Sequence, residues 1–174
     1  MSVFVFNLES LFGHYCRIFS HLYGLEAVSL RYGNVFGPRQ DPNSIYAAVI
    51  PKFIPVLLEG TPPVIYGDGK QSRDFTYVEN VLQANLLAMT APGIFGQVYN
   101  VTCGLQTTVN NLFSSLQEIS ARKIPAQYKK RRSGEVRRTL ASIDLVRSHL
   151  GYEVKVELQE GLWAAWKWFQ EKKG

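Results

Sequence analysis

A chain of 174 residues allows one domain, with at most a small appendage, and is long enough to bury a hydrophobic core. Its formal net charge is +5, from 19 Lys and Arg against 14 Asp and Glu. This excess suits an anionic ligand, but it is too small to indicate nucleic acid by itself, and no segment has the roughly 20 apolar residues of a membrane helix. Cys16 and Cys103 show neither metal-ligand spacing nor a disulfide framework, so we expect a protein of the reducing cytoplasm.

The first predicted element is an amphipathic helix that ends at Gly24 in a left-handed cap. Its apolar residues recur at spacings of three and four: Leu8, Leu11, Phe12, Tyr15, Phe19 and Leu22. Residues 25–32 form a β-rich apolar run, which predicts a buried strand. Asn34, Gly37 and Pro38 then predict a sharp polar turn.

The middle of the chain alternates between the two kinds of element. Residues 46–59 are apolar but contain two prolines, which predicts a short or kinked helix. Strands are predicted at 64–66 and 74–78 around a Gly-Asp-Gly-Lys turn, and the spacing of apolar residues predicts a helix over 78–90.

The last part continues this alternation. A strand at 97–101 precedes a helix at 109–121 that Thr107 or Thr108 can cap. A basic loop over 129–138, a short helix between Ser142 and Gly151, and a final amphipathic helix complete the chain. Strands that alternate with helices indicate an α/β fold, and no linker divides the chain into two domains.

Three polar residues are candidates for ligand binding on local grounds. Asn34 follows a strand in a turn, where its amide can bind a ligand or support the turn itself. Arg73 and Arg137 can each hold a phosphate through two hydrogen bonds, or lie on the surface in ion pairs. The basic run at 129–132 lacks interleaved aromatic residues, which favours a solvated loop over a nucleic-acid site.

Two motifs carry a resemblance to a known family. They are Arg31-Tyr-Gly-Asn-Val-Phe-Gly-Pro-Arg-Gln40 and Ile65-Tyr-Gly-Asp-Gly-Lys-Gln-Ser-Arg-Asp-Phe-Thr-Tyr-Val78. Both resemble the carboxyl-terminal half of the NAD-dependent epimerase/dehydratase family, the extended short-chain dehydrogenases that include UDP-glucose 4-epimerases. The resemblance implies part of a Rossmann sheet plus a substrate-binding α/β subdomain over residues 13–174, with residues 1–12 an atypical start.

The resemblance also implies roles for single residues. Asn34, Arg73 and Arg137 match positions that contact the nucleotide-sugar, with the two arginines on its diphosphate. Tyr32 matches a position near the nicotinamide of NAD. Ser142 stands where many relatives have Asp, so no contact is carried over to it.

The catalytic residues of the family are not found. Counting back from Tyr15-Cys-Arg-Ile-Phe19, the Tyr and Lys of its Tyr-x-x-x-Lys pair fall on Val5 and Glu9, and no glycine-rich dinucleotide motif follows a strand. We therefore expect the substrate-binding half of a nucleotide-sugar epimerase, inactive alone and doubtful in NAD binding, which forms a homo-oligomer or lacks its amino-terminal half. A dehydratase or reductase of another nucleotide-sugar and a non-catalytic binding module stay open as alternatives.

Overall fold

The computed structural model describes residues 2–44 and 48–173, with the backbone alone for residues 2–10 and 173. Helices and strands alternate along it, which confirms the α/β prediction. The elements, in chain order, are α1 (Ser2–Tyr23), β1 (Ser29–Tyr32), β2 (Asn34–Phe36), α2 (Val49–Leu58), β3 (Val64–Tyr66), β4 (Ser72–Arg73), β5 (Phe75–Tyr77), α3 (Val78–Thr90), β6 (Val98–Val101), β7 (Thr107–Thr108), α4 (Val109–Ser120), β8 (Gln127–Lys129), α5 (Asp144–Leu150) and α6 (Leu158–Lys173).

The strands associate in pairs that are mostly parallel. β1 lies parallel to β6 with Leu30 opposite Tyr99, and β2 lies parallel to β5. β3 lies parallel to β8, whereas β4 and β7 are antiparallel. Parallel strands need covering on both faces, and the helices supply this for much of the sheet.

Two hydrophobic clusters hold the elements together. One joins α2, α4 and α6 to β2, β3 and β5, and Ile54, Leu57, Leu112 and Leu162 are completely buried in it. The other joins α3, α5 and β6 around the fully buried Tyr99. The candidate ligand-binding residues therefore lie on loops and strand ends, and the packed helices hold these segments in place.

Several predicted helix ends are confirmed. Gly24 (φ +66°) ends α1 and its N–H donates to the carbonyl of Ser20 at 3.0 Å. Thr108 caps α4 by accepting a hydrogen bond from the N–H of Asn111 at 3.1 Å. Gly151 (φ +65°) closes α5, whereas Ser142 lies one residue before the cap and accepts the N–H of Asp144.

Other boundaries differ from the prediction. The strand at 25–32 begins only at Ser29, and Asn34 starts a second short strand rather than a turn, because its N–H donates to the carbonyl of Asp74 at 3.0 Å. The helix at 46–59 runs over Val49–Leu58 with Pro55 inside it, and residues 45–47 lie outside the described part. β8 has no counterpart in the prediction. In the described part, no helix is long and apolar enough to cross a membrane.

Candidate functional site

A cavity of roughly 550 Å³ lies between α2, β3, β5 and the basic loop after β8. Its apolar wall comes from Phe53, Val56, Ile65 and Phe75 among others. The charged and polar side chains that line it are Asn34, Lys52, Tyr66, Gln71, Arg73, Arg132 and Glu135. Three cations therefore share one cavity with one carboxylate, an arrangement that favours an anionic ligand.

Arg73 stands in β4, which the antiparallel pairing with β7 fixes with Arg73 opposite Thr107. Its Nη1 donates to the carbonyl of Ser72 at 2.8 Å, and its Nη2 lies 4.0 Å from Oε1 of Glu135. Only 19% of the Arg73 side chain is exposed, and this burial lowers its pKa while the charge of Glu135 opposes the shift. A guanidinium stays charged in proteins, so Arg73 is a fixed, largely desolvated cation at the cavity.

Arg132 faces the same cavity from the basic loop. The parallel pairing of β3 and β8 sets Tyr66 opposite Lys129, and the N–H of Gly67 donates to the carbonyl of Lys129 at 2.8 Å. The loop thus leaves the sheet beside Tyr66, and the guanidinium of Arg132 lies 3.9 Å from the centroid of the Tyr66 ring. A hydrogen bond from Arg132 and then its charge lower the pKa of Tyr66.

Asn34 lies at the cavity end of β2. Both its backbone N–H, at 3.0 Å, and its Nδ2, at 3.3 Å, donate to the carbonyl of Asp74. Asp74 is itself anchored, since its carboxylate accepts the N–H groups of Cys103 and Gly104 at 2.9 and 2.8 Å. The amide of Asn34 is therefore held in one orientation beside Arg73.

Arg137 does not line this cavity. Its Nη2 lies 3.1 Å from Oδ2 of Asp68, and about half of each side chain is exposed. The N–H of Lys70 and then Arg137 lower the pKa of Asp68. The turn that carries Asp68 is tight, because a Cβ at Gly69 (φ +69°) would collide with the side chain of Asn110. The assignment of Arg137 to the diphosphate stays a prediction.

Tyr32 also lies outside the cavity. Its hydroxyl donates to Oδ1 of Asn85 at 3.0 Å, and the residue lines a separate trough together with Phe12 and Gly33. The structure thus brings Asn34 and Arg73 to one cavity, which neither Tyr32 nor Arg137 lines. Val5 and Glu9 lie in α1, where the backbone alone is described.

Arg132, Glu135 and Lys52 were missed by sequence reasoning. The run at 129–132 indicates a solvated loop, because charge patterning cannot show that one of four exposed cations lies over the Tyr66 ring at the cavity. β8 would have given the signal, but it has only three residues and all of them are exposed, so it carries no pattern of buried side chains.

A larger groove of roughly 1230 Å³ runs beside residues 103–105, 140–144 and 151–159. None of the four predicted site residues lines it, and Arg147 is the one Arg or Lys among the described residues that line it. Burial and then the Asp74 carboxylate raise the pKa of Cys103 in this groove to about 11, which leaves the thiol neutral and unreactive. The smaller cavity, where the cations converge, is the better candidate site.

The family model for the "NAD dependent epimerase/dehydratase family" matches residues 10–102, more than half of the chain. The chain belongs to this family. The epimerase/dehydratase motifs quoted from the sequence lie inside the matched range, and they supply Asn34, Tyr66 and Arg73 to the cavity.

Similar proteins are nucleotide-sugar enzymes. A Methanocaldococcus jannaschii protein assigned as a UDP-glucose 4-epimerase is 38% identical over 156 residues, which are 90% of this chain and 50% of the relative. The UDP-glucose 4-epimerase of Thermotoga maritima, solved with UDP-glucose, is 40% identical with a TM-score of 0.88 over 93% of this chain and 52% of that one. The Thermus thermophilus UDP-glucose 4-epimerase, solved with NAD, is 34% identical with a TM-score of 0.82 over 92% and 51%.

Relatives of this epimerase/dehydratase chain also include dTDP-glucose 4,6-dehydratases. The chain spans about half the length of the relatives it matches. The fold is therefore that of a partial Rossmann-type protein with its adjoining α/β part.

Proposed function

We propose that this chain is the nucleotide-sugar-binding half of an epimerase-like member of the family. It binds a nucleoside-diphosphate sugar, with a UDP-sugar as the first choice, in the cavity between α2, β3, β5 and the basic loop. The observation that carries the proposal is the convergence of Arg73, Arg132 and Lys52 on one cavity with Glu135 as its carboxylate.

The charges of the cavity suit a diphosphate. Three cations and one carboxylate leave an excess of about two positive charges, which the two ionised groups of a diphosphate diester would neutralise. Arg73 has its Nη1 bonded to the carbonyl of Ser72, while its Nη2 lies 4.0 Å from Oε1 of Glu135, which also lines the cavity. The guanidinium fork then offers paired hydrogen bonds to phosphate oxygens.

Asn34 and the two arginines divide the work in this proposal. Arg73 and Arg132 bind the diphosphate, and Asn34 contacts the ligand beside Arg73. Arg137 is assigned a second place at the diphosphate, which it can reach only by leaving Asp68. Tyr32 keeps the contact near the nicotinamide that the resemblance implies.

Chemistry on the sugar needs residues that the sequence does not supply at the matching positions. Valine at position 5 has no ionisable group, and a carboxylate at position 9 would raise the pKa of a neighbouring phenol instead of lowering it. The chain's own residues bind and orient the substrate, and we propose that it is inactive by itself.

NAD is the cofactor of relatives, and it would supply transient oxidation of the sugar. The described residues do not fit the whole cofactor. Dinucleotide sites place a glycine-rich turn between a strand and a helix, whereas here α3 follows β5 directly and α4 follows β7 directly. The loops from β2 to α2 and from β8 to α5 hold one glycine each. Binding of NAD by these residues alone is therefore not part of the proposed function.

Two alternatives are kept. Because dehydratases are among the relatives, the sugar chemistry of the complete protein could be a dehydration or a reduction at the same diphosphate site. A non-catalytic binding module is the other. In either case we place the protein in the cytoplasm, where nucleotide-sugars occur. We also expect that it forms a homo-oligomer or that it lacks its amino-terminal half.

Thermal unfolding with ligands tests the proposal. UDP-glucose and UDP at about 100 times their Kd should each raise the free energy of unfolding by about 2.7 kcal/mol and the Tm by several degrees. UMP and glucose are the controls, since neither carries a diphosphate. Equal Tm values with UDP-glucose, dTDP-glucose, GDP-mannose and glucose at millimolar concentration would contradict a nucleotide-sugar site.

A further inference from the structure

The excess of positive charge is confined to two segments of the chain. The turn at 67–70 after β3 and the segment at 129–138, which begins in β8, contain seven of the 19 Lys and Arg residues but only two of the 14 carboxylates. They therefore account for the whole formal charge of +5, and the rest of the chain is neutral. All seven cations are exposed, and together we call them the basic surface: Lys70, Lys129, Lys130, Arg131, Arg132, Arg137 and Arg138.

Backbone pairing brings the two segments together. The N–H of Gly67 donates to the carbonyl of Lys129 at 2.8 Å, and a Cβ at Gly67 would lie 3.6 Å from the Cβ of Arg131. Just after the turn, the N–H of Ser72 donates to the carbonyl of Arg137 at 2.9 Å. The basic surface is thus one continuous patch, although its two segments are far apart in the sequence.

The basic surface adjoins the candidate cavity. Arg132 belongs to both, and Tyr66, one residue before the turn, also lines the cavity. Arg132 lowers the pKa of Tyr66 most, and the charge of Lys129 acts in the same direction. Cations outside the cavity therefore contribute to the positive potential at its wall.

Few of these cations are neutralised. Among the described residues, Arg137 is the one member of the basic surface in an ion pair, with Asp68. Arg131 donates to the backbone carbonyl of Glu135, which carries no charge. By contrast, the larger groove is lined by three carboxylates and one arginine among the described residues. An approaching anion is therefore attracted beside the cavity and repelled at the larger groove.

We propose that the basic surface attracts the nucleoside-diphosphate sugar from solution and guides it to the cavity. The cations outside the cavity act on the free ligand during its approach, whereas the residues that line the cavity contact the bound ligand. Guidance of this kind raises association rate constants by about 10- to 1,000-fold, and it weakens as salt screens the charges. This role rests on the function proposed above, because the ligand and the cavity are the same.

Association kinetics at several salt concentrations test the proposal. Line shapes of the phosphorus NMR signals of UDP-glucose give the dissociation rate constant, and calorimetry gives the Kd. The ratio of the dissociation rate constant to the Kd is the association rate constant. Between about 20 and about 500 mM NaCl, the association rate constant of the wild-type chain should fall about tenfold or more.

Two fourfold variants locate the effect on the surface. The basic-surface variant carries Lys70→Gln, Lys129→Gln, Lys130→Gln and Arg138→Gln, which spares the residues that we assign to the diphosphate. The control variant loses the same net charge at exposed positions elsewhere, through Arg17→Gln, Lys155→Gln, Lys167→Gln and Lys172→Gln.

In about 20 mM NaCl, the basic-surface variant should lose about tenfold in the association rate constant and keep its dissociation rate constant within about twofold of wild type. The control variant should lose less than about threefold in the association rate constant, because its charges lie outside the basic surface. A tenfold effect shared by four charges is about twofold for each, so loss of Lys130 alone leaves the affinity close to wild type.

Equal losses in the two fourfold variants, or an association rate constant that does not depend on salt, would overturn the guidance role and leave the binding site itself intact. A change confined to the dissociation rate constant would also overturn it, since these cations would then contact the bound ligand. Failure of the wild-type chain to bind UDP-glucose at every salt concentration would instead refute the proposed function, and the guidance role with it.

Discussion

The guanidinium of Arg132 covers the ring of Tyr66, with its central carbon 3.9 Å from the ring centroid. The contact ties the basic loop to β3, on the side where Arg73 faces Glu135. A positively charged group held by an aromatic face keeps its charge available for a ligand. Tyr66 thus positions one of the two arginines that we assign to the diphosphate.

The first prediction concerns the arginines. Arg73→Ala and Arg132→Ala should each weaken UDP-glucose binding at least tenfold, because each removes a charge-assisted hydrogen bond that contributes about 1.5 to 3 kcal/mol. Arg137→Ala should weaken binding as well if it leaves Asp68 for the ligand. Isothermal titration calorimetry measures all three.

Lys130→Ala is the matched control, since it removes the same charge from the same loop at an exposed position. Its affinity should stay within about twofold of wild type. An affinity for Arg137→Ala equal to that of Lys130→Ala would assign Arg137 to the Asp68 ion pair alone, and equal affinities for all four variants would refute the diphosphate site.

The second prediction separates the Tyr66 ring from its hydroxyl. Tyr66→Leu removes the ring beneath Arg132 and should weaken UDP-glucose binding about two- to thirtyfold, the range of a cation–π contact of about 0.5 to 2 kcal/mol. Tyr66→Phe keeps the ring but removes the hydroxyl that accepts a hydrogen bond from Arg132, so it should lose less affinity than Tyr66→Leu. If calorimetry gives the same loss of UDP-glucose affinity for both variants, the Tyr66 hydroxyl and not its ring supports binding.

The third prediction is that the purified chain with added NAD and UDP-glucose shows no epimerase activity. Val5 and Glu9 occupy the positions of the catalytic Tyr and Lys, and no glycine-rich motif follows a strand. A coupled assay for UDP-galactose measures it, with an intact UDP-glucose 4-epimerase as the positive control. Turnover at a rate comparable to that enzyme would disprove the inactive-half interpretation.

The sequence predicts more of the fold than of the candidate site. Helices such as α4 followed from apolar periodicity and a threonine cap, both local properties of the sequence. Family motifs led to Asn34 and Arg73, which do share a cavity. The resemblance assigned Arg137 and passed over Arg132, because the place of Arg132 depends on the pairing of β3 with β8 across about sixty residues. Pairing over such a distance leaves no local pattern.

The fourth prediction concerns Asn80, which is completely buried at the start of α3. Its Nδ2 donates to the carbonyl of Val156 at 2.8 Å, and its Oδ1 accepts the N–H groups of Lys155 and Val156 at 3.0 Å. Asn80→Ala leaves three backbone groups without partners and should lower the free energy of unfolding by about 3 kcal/mol in urea titrations.

Asn85→Ala is the comparison for this prediction. Asn85 lies on the same helix, but its Nδ2 donates only to Val81 within that helix and its Oδ1 accepts the Tyr32 hydroxyl at a partly exposed site. We expect a loss below about 1 kcal/mol. Similar losses for the two variants would show that the segment before α6 does not depend on Asn80.

The last prediction concerns the pH dependence that Cys103 confers. Burial and then the charge of Asp74 raise the pKa of its thiol from 9.0 to about 11. Below pH 9 the thiol is neutral in both the folded and the unfolded chain. The folded state prefers the neutral thiol, and this contribution to the free energy of unfolding is fully present there. Between pH 9 and 11 the unfolded chain ionises first, and this contribution is lost as the pH rises. Wild type should therefore lose more stability than Cys103→Ser between pH 8 and 10.5 in urea unfolding.

Alkylation kinetics measure the same pKa directly. In a Cys16→Ser background, Cys103 should react with iodoacetamide faster as the pH approaches 11, since the thiolate is the nucleophile. Asp74→Asn removes the neighbouring negative charge and should shift this profile to lower pH. Because Asp74 also accepts the N–H groups of Cys103 and Gly104, circular dichroism must first show that the variant is folded. A profile centred at pH 9 in the parent protein would mean that the Cys103 thiol is not shielded in this groove.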